Sequence, residues 1–129
     1  MRRRQPPRPT NAELSILRVL WERGPSTVRH VQECLSARRA TGYTTALKLL
    51  QIMTEKGLVR RDTRQRTHIY APRLTEDQTQ RQLIRDLMNR AFGGSAQKLV
   101  MQALNSVKAS ADERAEIRRL LDSLEGEEP

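Results

Sequence analysis

Residues that carry disulfides, metal ions or catalysis are rare in this sequence. Of its 129 residues, one is cysteine and two are histidine. Because Cys34 stands alone, no intramolecular disulfide is possible, which fits a reducing compartment. His30 and His68 lack the neighbours of a catalytic triad, and the sequence has neither a phosphate-binding glycine loop nor a zinc-binding motif. We therefore predict a protein with no enzymatic activity, cofactor or metal ion.

Aromatic side chains and long apolar runs are also scarce. Aromatics make up 3% of the sequence and apolar residues 36%, so we expect a small, aliphatic core. No run of about 18 apolar residues occurs, and no membrane insertion is expected. The N-terminal arginines are not followed by an apolar segment, so we expect no secretory signal. These features predict a cytoplasmic protein.

Positive charge is abundant and unevenly distributed. The 24 lysines and arginines exceed the 15 acidic residues, which gives a formal net charge of +9. Residues 1–73 hold 16 basic and 5 acidic side chains, whereas residues 74–129 hold 8 and 10. The basic part favours an acidic partner, with nucleic acid first and an anionic membrane surface second. The division predicts two regions with different functions.

The first nine residues, MRRRQPPRP, contain four arginines and three prolines. We expect residues 1–9 to form a disordered basic arm. Such an arm either follows a DNA groove or adds only non-specific attraction. Non-specific attraction is favoured, because nothing in the segment would fix its position along the DNA.

Two short helices are predicted before residue 42. The capping box Thr10–Glu13 opens the first, and Gly24 with Pro25 ends it. Ser26 or Thr27 starts the second. The residues predicted to face inward are Leu14, Leu17, Val19, Leu20 and Trp21 in the first helix and Val28, Val31, Cys34 and Leu35 in the second.

A third helix and a hairpin are predicted in Gly42–Ala71. The apolar residues Ala46, Leu49, Leu50 and Met53 have the spacing of one buried helical face, and Gly57 marks the end of the helix. Strands Leu58–Arg61 and Thr67–Tyr70 then flank the polar turn Asp62–Arg66. Three helices and a hairpin over residues 10–73 predict a mainly α, winged helix–turn–helix DNA-binding domain.

In this motif the third helix enters the major groove and the hairpin, or wing, lies on the DNA backbone. Threonine hydroxyls can contact bases or phosphates, lysine favours guanine and glutamine favours adenine. Arginines in the hairpin and turns are expected to contact phosphates. The predicted reading-helix residues are Tyr43, Thr44, Thr45, Lys48 and Gln51, and the predicted wing and backbone residues are Arg38, Arg39, Arg60, Arg61, Arg64 and Arg66.

Residues 74–129 predict three amphipathic helices, which begin near Thr75, Ser95 and Ser110. They make a poor independent core, so they either fold back on their own winged helix or pack against a second copy. We favour a helical dimerisation region, since two copies would bury the apolar stripes better. The residues expected at this interface are Ile84, Leu87, Met88, Leu99, Val100, Ala103, Leu104, Ile117, Leu120 and Leu121.

Four short stretches of the sequence resemble one known family. They are TNAEL at Thr10–Leu14, VLW at Val19–Trp21, GYTTAL at Gly42–Leu47 and EKGLV at Glu55–Val59. Over residues 10–125 the chain is similar to the penicillinase repressors, the BlaI/MecI/CopY family of winged-helix regulators. The resemblance implies a homodimeric repressor that binds an operator with inverted TACA/TGTA-like half-sites.

The resemblance also implies a means of release. In the antibiotic-responsive branch of the family, a membrane metalloprotease sensor triggers cleavage of the repressor in its C-terminal region. The matching stretch here is Leu99–Ala103, which implies cleavage between Gln102 and Ala103, where that branch has an Asn–Phe pair. The copper-responsive branch carries a cysteine-rich tail, and the ending Glu-Gly-Glu-Glu-Pro does not lead us to expect copper sensing.

Two other functions compete with repression. A non-specific or architectural nucleic-acid binder would share the positive charge but would not prefer an inverted repeat. A protein-interaction adaptor would instead use the acidic helical region as a monomer. The leading interpretation is a dimeric, sequence-specific repressor of transcription.

Overall fold

The computed structural model describes residues 7–126, and this part of the chain holds six α-helices and one antiparallel β-hairpin. In order they are α1 (Asn11–Arg23), α2 (Val28–Ser36), α3 (Tyr43–Lys56), β1 (Val59–Asp62), β2 (Ile69–Pro72), α4 (Glu76–Ala91), α5 (Ala96–Ser106) and α6 (Ala111–Gly126). Three helices followed by a hairpin confirm the predicted mainly α, winged-helix order. Residues 1–6 of the predicted arm and 127–129 of the acidic tail lie outside the described residues.

Polar side chains determine where α1 and α2 begin. Thr10 Oγ1 accepts the N–H of Glu13 at 3.2 Å, and Glu13 Oε1 accepts the N–H of Thr10 at 2.9 Å. This confirms the predicted capping box. Thr27 caps α2 by accepting the N–H of His30 at 3.1 Å, so Ser26 lies before the helix.

The core of the first region is aliphatic and lies between α1, α2, α3 and the hairpin. Its buried members are Ile16, Leu17, Leu20, Val28, Val31, Ala46, Leu50, Met53, Leu58, Val59 and Tyr70. Leu14, Val19, Trp21, Leu35 and Leu49, all predicted to face inward, pack half-buried against it. The sequence pattern missed Ile16, Leu58, Val59 and Tyr70 as core residues.

Cys34 is not a core residue, contrary to prediction. It is half-buried, and its Sγ lies 3.7 Å from Nε2 of His30, one turn earlier on α2. His30 is exposed, so this side of α2 is its polar edge. The buried stripe of α2 is therefore narrower than its apolar spacing predicted.

The hairpin follows directly from the glycine that ends α3. Gly57 has a φ of 83°, in the left-handed region that glycine adopts without strain. Val59 then pairs with Pro72 and Asp62 with Ile69. The second strand thus begins at Ile69, and the prediction that it begins at Thr67 was wrong.

A contact with the loop before α2 explains this shift of the strand. Tyr70 donates its N–H to Ser26 O at 2.8 Å and accepts the N–H of Ser26 at 3.0 Å. This bridge between Ser26 and Tyr70 holds Tyr70 in the core, and the β1–β2 strand pairing forms around Tyr70. Thr67 and His68 are left in the exposed loop that joins the strands, so His68 does not alternate with Ile69 on a strand.

The chain divides into two compact units, one that ends at Ile84 and one that begins at Arg85. The division lies within α4, further along the chain than residue 74. Contacts within the first unit explain why it includes the start of α4. Trp21 Nε1 donates to Leu74 O at 3.0 Å, and Thr79 is buried.

The three helices after residue 74 begin at the predicted residues. Gly94, with a φ of 80°, donates its N–H to Met88 O at 3.0 Å and closes the end of α4. Ser95 caps α5, and Ser110 forms a capping box with Glu113 at the start of α6. Neither α5 nor α6 contains a buried residue. Within residues 7–126, no helix is both long and apolar enough to cross a membrane.

Candidate nucleic-acid interface

One face of α3 is mainly polar and exposed to solvent. Ala46, Leu50 and Met53 attach the opposite face to the core and are completely buried. All of the predicted reading residues are exposed, and these are Tyr43, Thr44, Thr45, Lys48 and Gln51. At about 100° per residue, Thr44, Lys48 and Gln51 lie opposite the buried residues, so α3 presents these three as a single surface. Tyr43 and Thr45 flank that surface at the first turn.

The N-terminus of α3 lacks a side-chain cap. Thr10, Thr27 and Ser95 each cap a helix with a hydroxyl, but the residue before α3 is Gly42, and among the described residues no side chain caps this helix. The first N–H groups of a helix have no partner within it and carry a partial positive charge. An anionic group can therefore approach this end of α3 without displacing a side chain.

A basic residue that the sequence prediction missed lies beside this helix end. The guanidinium carbon of Arg29 lies 5.7 Å from the centre of the Tyr43 ring, at a distance that suits a cation–π contact. Arg29 belongs to α2 and is exposed. The sequence signal for this exposure is its place between two apolar residues, Val28 and Val31. Its proximity to Tyr43 depends on the turn between α2 and α3, which short-range patterns do not define.

That turn is held by hydrogen bonds around one serine. Ser36 Oγ donates to Thr41 O at 3.0 Å and accepts the N–H of Thr41 at 3.2 Å. The bonds draw the end of α2 towards the start of α3. Arg38 and Arg39 lie in the turn between them and are exposed.

The arginines of the hairpin differ in their position on the strands or in the loop. Arg60 and Arg61 are adjacent and exposed on β1, and successive strand residues point to opposite faces. One face of the hairpin therefore presents only one of them. Arg66 is exposed in the loop.

Arg64, by contrast, is paired with an acidic neighbour. Its Nε and Nη2 atoms donate to the Asp62 carboxylate at 3.0 and 2.8 Å, and its backbone N–H donates to Asp62 Oδ1 at 3.0 Å. The hydrogen bonds from Arg64 lower the pKa of Asp62 to about 2, so the carboxylate stays charged. Asp62 therefore offsets part of the positive charge that Arg64 brings to the loop.

An ion pair between the partly exposed Lys56 and a buried carboxylate fixes the far end of α3. Lys56 Nζ lies 2.7 Å from Oε1 of Glu13, the oxygen that also accepts the N–H of Thr10. Glu13 is 2% exposed. Burial raises the pKa of the Glu13 carboxyl, but hydrogen bonds from Lys56 and Thr10 outweigh burial and lower it overall. One charged oxygen thus joins the first turn of α1 to the last turn of α3.

The residues predicted for dimerisation are mostly on the surface of the chain. Ile84, Leu87, Val100, Ala103, Leu104, Leu120 and Leu121 are exposed, whereas Met88, Leu99 and Ile117 are half-buried. An apolar cleft in the second unit is lined by Leu104, Val107, Ile117 and Leu121. Gln102 and Ala103 are exposed within α5.

The fold and the exposed face of α3 define a DNA-binding regulator of the winged-helix class. The solution structure of monomeric BlaI from Bacillus licheniformis in complex with the blaP half-operator matches this chain with a TM-score of 0.50 and 23% identity. The match covers 57% of this chain and 89% of that one. At that identity the match shows the fold.

Sequence comparison identifies the family. The family model described as penicillinase repressor matches residues 9–123. The transcriptional regulator BlaI of Mycobacterium tuberculosis (strain CDC 1551 / Oshkosh) is 38% identical over 115 residues, which covers 88% of this chain and 82% of that protein. The penicillinase repressor of Bacillus licheniformis is 22% identical over 116 residues, with 90% and 91% covered. The chain belongs to the penicillinase repressor family.

Membership of this family makes the protein a transcriptional repressor and confirms that it is not an enzyme. It also confirms the resemblance carried by the four short stretches of the sequence. Among residues 7–126, no group of three or more histidine, cysteine or acidic side chains is placed to hold a metal ion.

Proposed function

We propose that this protein represses transcription in the cytoplasm as a homodimer bound to an inverted-repeat DNA operator. The observation that carries the proposal is the polar face of α3, which lies opposite the buried Ala46, Leu50 and Met53. The N-terminus of the same helix has no side-chain cap. A major groove admits a helix of this kind, and the N–H groups of its first turn suit a phosphate. The half-operator bound by the B. licheniformis BlaI supports the same type of partner.

The proposed roles follow from side-chain chemistry. Lys48 and Gln51 read base edges, with Lys48 suited to guanine and Gln51 to adenine. Thr44 and Thr45 lie at the first turn and contact bases or phosphates, and Tyr43 offers its hydroxyl to phosphate. Phosphate contacts from the turn and the wing supply affinity that depends on salt, and the residues proposed for them are Arg38, Arg39, Arg60, Arg61, Arg64 and Arg66.

A second copy of the chain is the proposed partner of the second unit. The apolar residues of α5 and α6 remain at the surface in a single chain, and burying such area is the main favourable contribution to association. A two-fold dimer would place two reading helices one DNA turn apart, roughly 34 Å, as inverted half-sites require.

We further propose that cleavage between Gln102 and Ala103 releases the operator, with a membrane metalloprotease sensor as the trigger. The bond lies inside α5, and Gln102 O accepts the hydroxyl of Ser106. A protease needs this helix to open locally. An eleven-residue helix without buried side chains has little to hold it closed.

Selection from a random duplex pool tests the proposal. The full chain is used at one salt concentration, and its affinity for the enriched duplex is compared with that for a scrambled duplex of equal length and composition. We expect the enriched sequence to be an inverted repeat that is preferred by about 10³-fold or more. Equal binding to both duplexes would instead indicate an architectural protein.

A further inference from the structure

An exposed isoleucine lies on the helix that otherwise presents polar groups. Between Pro7 and Leu74, Tyr43 and Ile52 are the large hydrophobic side chains that the structure leaves exposed, and both belong to α3. The exposed fraction of Ile52 is 37%, and it is not among the residues that pack against the core. Withdrawing this side chain from water would be favourable, so a partner surface is the natural place for it.

Helical geometry places Ile52 on the reading face. At about 100° per residue, it lies about 20° from Thr45 and about 40° from Lys48 around the axis of α3. It follows Lys48 by four residues, slightly more than one turn, which is about 6 Å along the helix. Any approach that brings Thr45 and Lys48 to the base edges therefore brings Ile52 into the same groove.

The chemistry of Ile52 limits what it can recognise there. The side chain has no hydrogen-bonding group, whereas most major-groove base positions are hydrogen-bond donors or acceptors. The C5 methyl of thymine is the apolar group that this groove presents. A donor or acceptor facing Ile52 would lose its water without gaining a partner, so other bases would be disfavoured.

We propose that Ile52 is a specificity-determining residue that packs against the methyl group of a thymine in each operator half-site. The inference rests on the proposed function, since it requires that α3 enter the major groove. It adds to that function an apolar contact, one turn beyond the base that Lys48 reads. The operator is accordingly expected to require thymine, not merely an A·T pair, at one position of the half-site.

Replacing thymine by uracil tests this contact, because uracil lacks only the methyl group. The duplex enriched by the full chain is resynthesised with uracil at one thymine of a half-site at a time. We expect one uracil substitution to weaken wild-type binding about fourfold, the effect of returning one buried methyl group to water. In Ile52→Ala the same substitution should have no effect.

Ile52→Val is the matched control, since it keeps an apolar branched side chain and should retain most of the uracil effect. Circular dichroism checks that both variants are folded, as expected for an exposed position. The inference is overturned if uracil at every thymine affects wild type and Ile52→Ala equally while wild type still prefers the operator. If wild type shows no preference among duplexes, the result contradicts the proposed function itself, and the inference that rests on it is overturned as well.

Discussion

Glu13 shows how one residue can serve two parts of the fold. Its short-range role, as the fourth residue of a capping box, was predictable from the sequence Thr10–Glu13. Its near-complete burial and its contact with Lys56 were not, because the two residues are far apart in the chain. The contact follows from the way α1 and α3 pack, which only the whole fold defines.

Lys56→Met should lower the free energy of unfolding by about 2 kcal/mol, because it leaves the buried Glu13 carboxylate without its cation. Chemical denaturation measures the loss, and Lys98→Met, at an exposed position on α5, is the matched control. The lowered pKa of Glu13 gives the pH dependence. The advantage of wild type over Lys56→Met is fully present above the ordinary pKa of 4.5 and is lost as the pH falls through the lowered value. An unchanged difference at lower pH would contradict this account.

Lys48 and Arg66 should differ in the kind of affinity that they supply. Lys48→Ala is expected to reduce the preference for the operator over scrambled DNA about tenfold, because a base contact carries the discrimination. Arg66→Ala should weaken both duplexes alike and reduce the salt slope by about one. Arg66 is the better choice than Arg64, whose charge Asp62 partly offsets.

Titration of both duplexes at several salt concentrations separates these two effects. A uniform loss of affinity in Lys48→Ala would mean that Lys48 contacts a phosphate, and the reading face would then need to be reassigned.

At the scale of elements, helix starts were predictable and strand ends were not. Thr10, Ser95 and Ser110 cap helices through hydrogen bonds three residues away, so their effect is visible in a short stretch of sequence. The second strand instead depends on the bridge between Ser26 and Tyr70. No pattern within Gly42–Ala71 contains that information.

The uncapped start of α3 leads to opposite predictions for stability and binding. Gly42→Asp should raise the free energy of unfolding by a few tenths of a kcal/mol, because aspartate caps helices somewhat better than glycine. A Cβ at Gly42 meets no atom within 4 Å, so the side chain fits. Binding to DNA should fall at least about tenfold, because the new carboxylate occupies the place of a phosphate.

Gly42→Asn is the matched control for this prediction, since it offers a cap of the same size without the charge. Its affinity for DNA should remain closer to wild type. Wild-type affinity in Gly42→Asp would show that no phosphate approaches this end of the helix.

At the scale of the whole molecule, the sequence predicts two regions and, from the apolar stripes of the second, a dimer. The uneven charge and the apolar spacing of α5 and α6 were visible in the sequence. Most of the apolar side chains on these helices proved exposed in a single chain. An apolar stripe has the same spacing whether it meets its own chain or another copy.

Leu120→Asn tests the proposed dimer. The side chain is 60% exposed on α6, so the single chain should fold normally. Loss of this apolar contact from both copies should raise the dissociation constant of the dimer about a hundredfold. Sedimentation measures the assembly, and Asp122→Asn, on another side of α6, is the control. A wild-type monomer that binds a different protein would instead favour the adaptor function.

The anchored position of Trp21 gives the two units different optical signatures. It is the one tryptophan in the sequence, and its indole donates to Leu74 O within the first unit. Its fluorescence therefore follows the loosening of that unit, whereas far-ultraviolet circular dichroism also follows α5 and α6. Coincident transitions in the two signals on heating would mean that the units unfold together. Separate transitions would assign each step to its unit without any label.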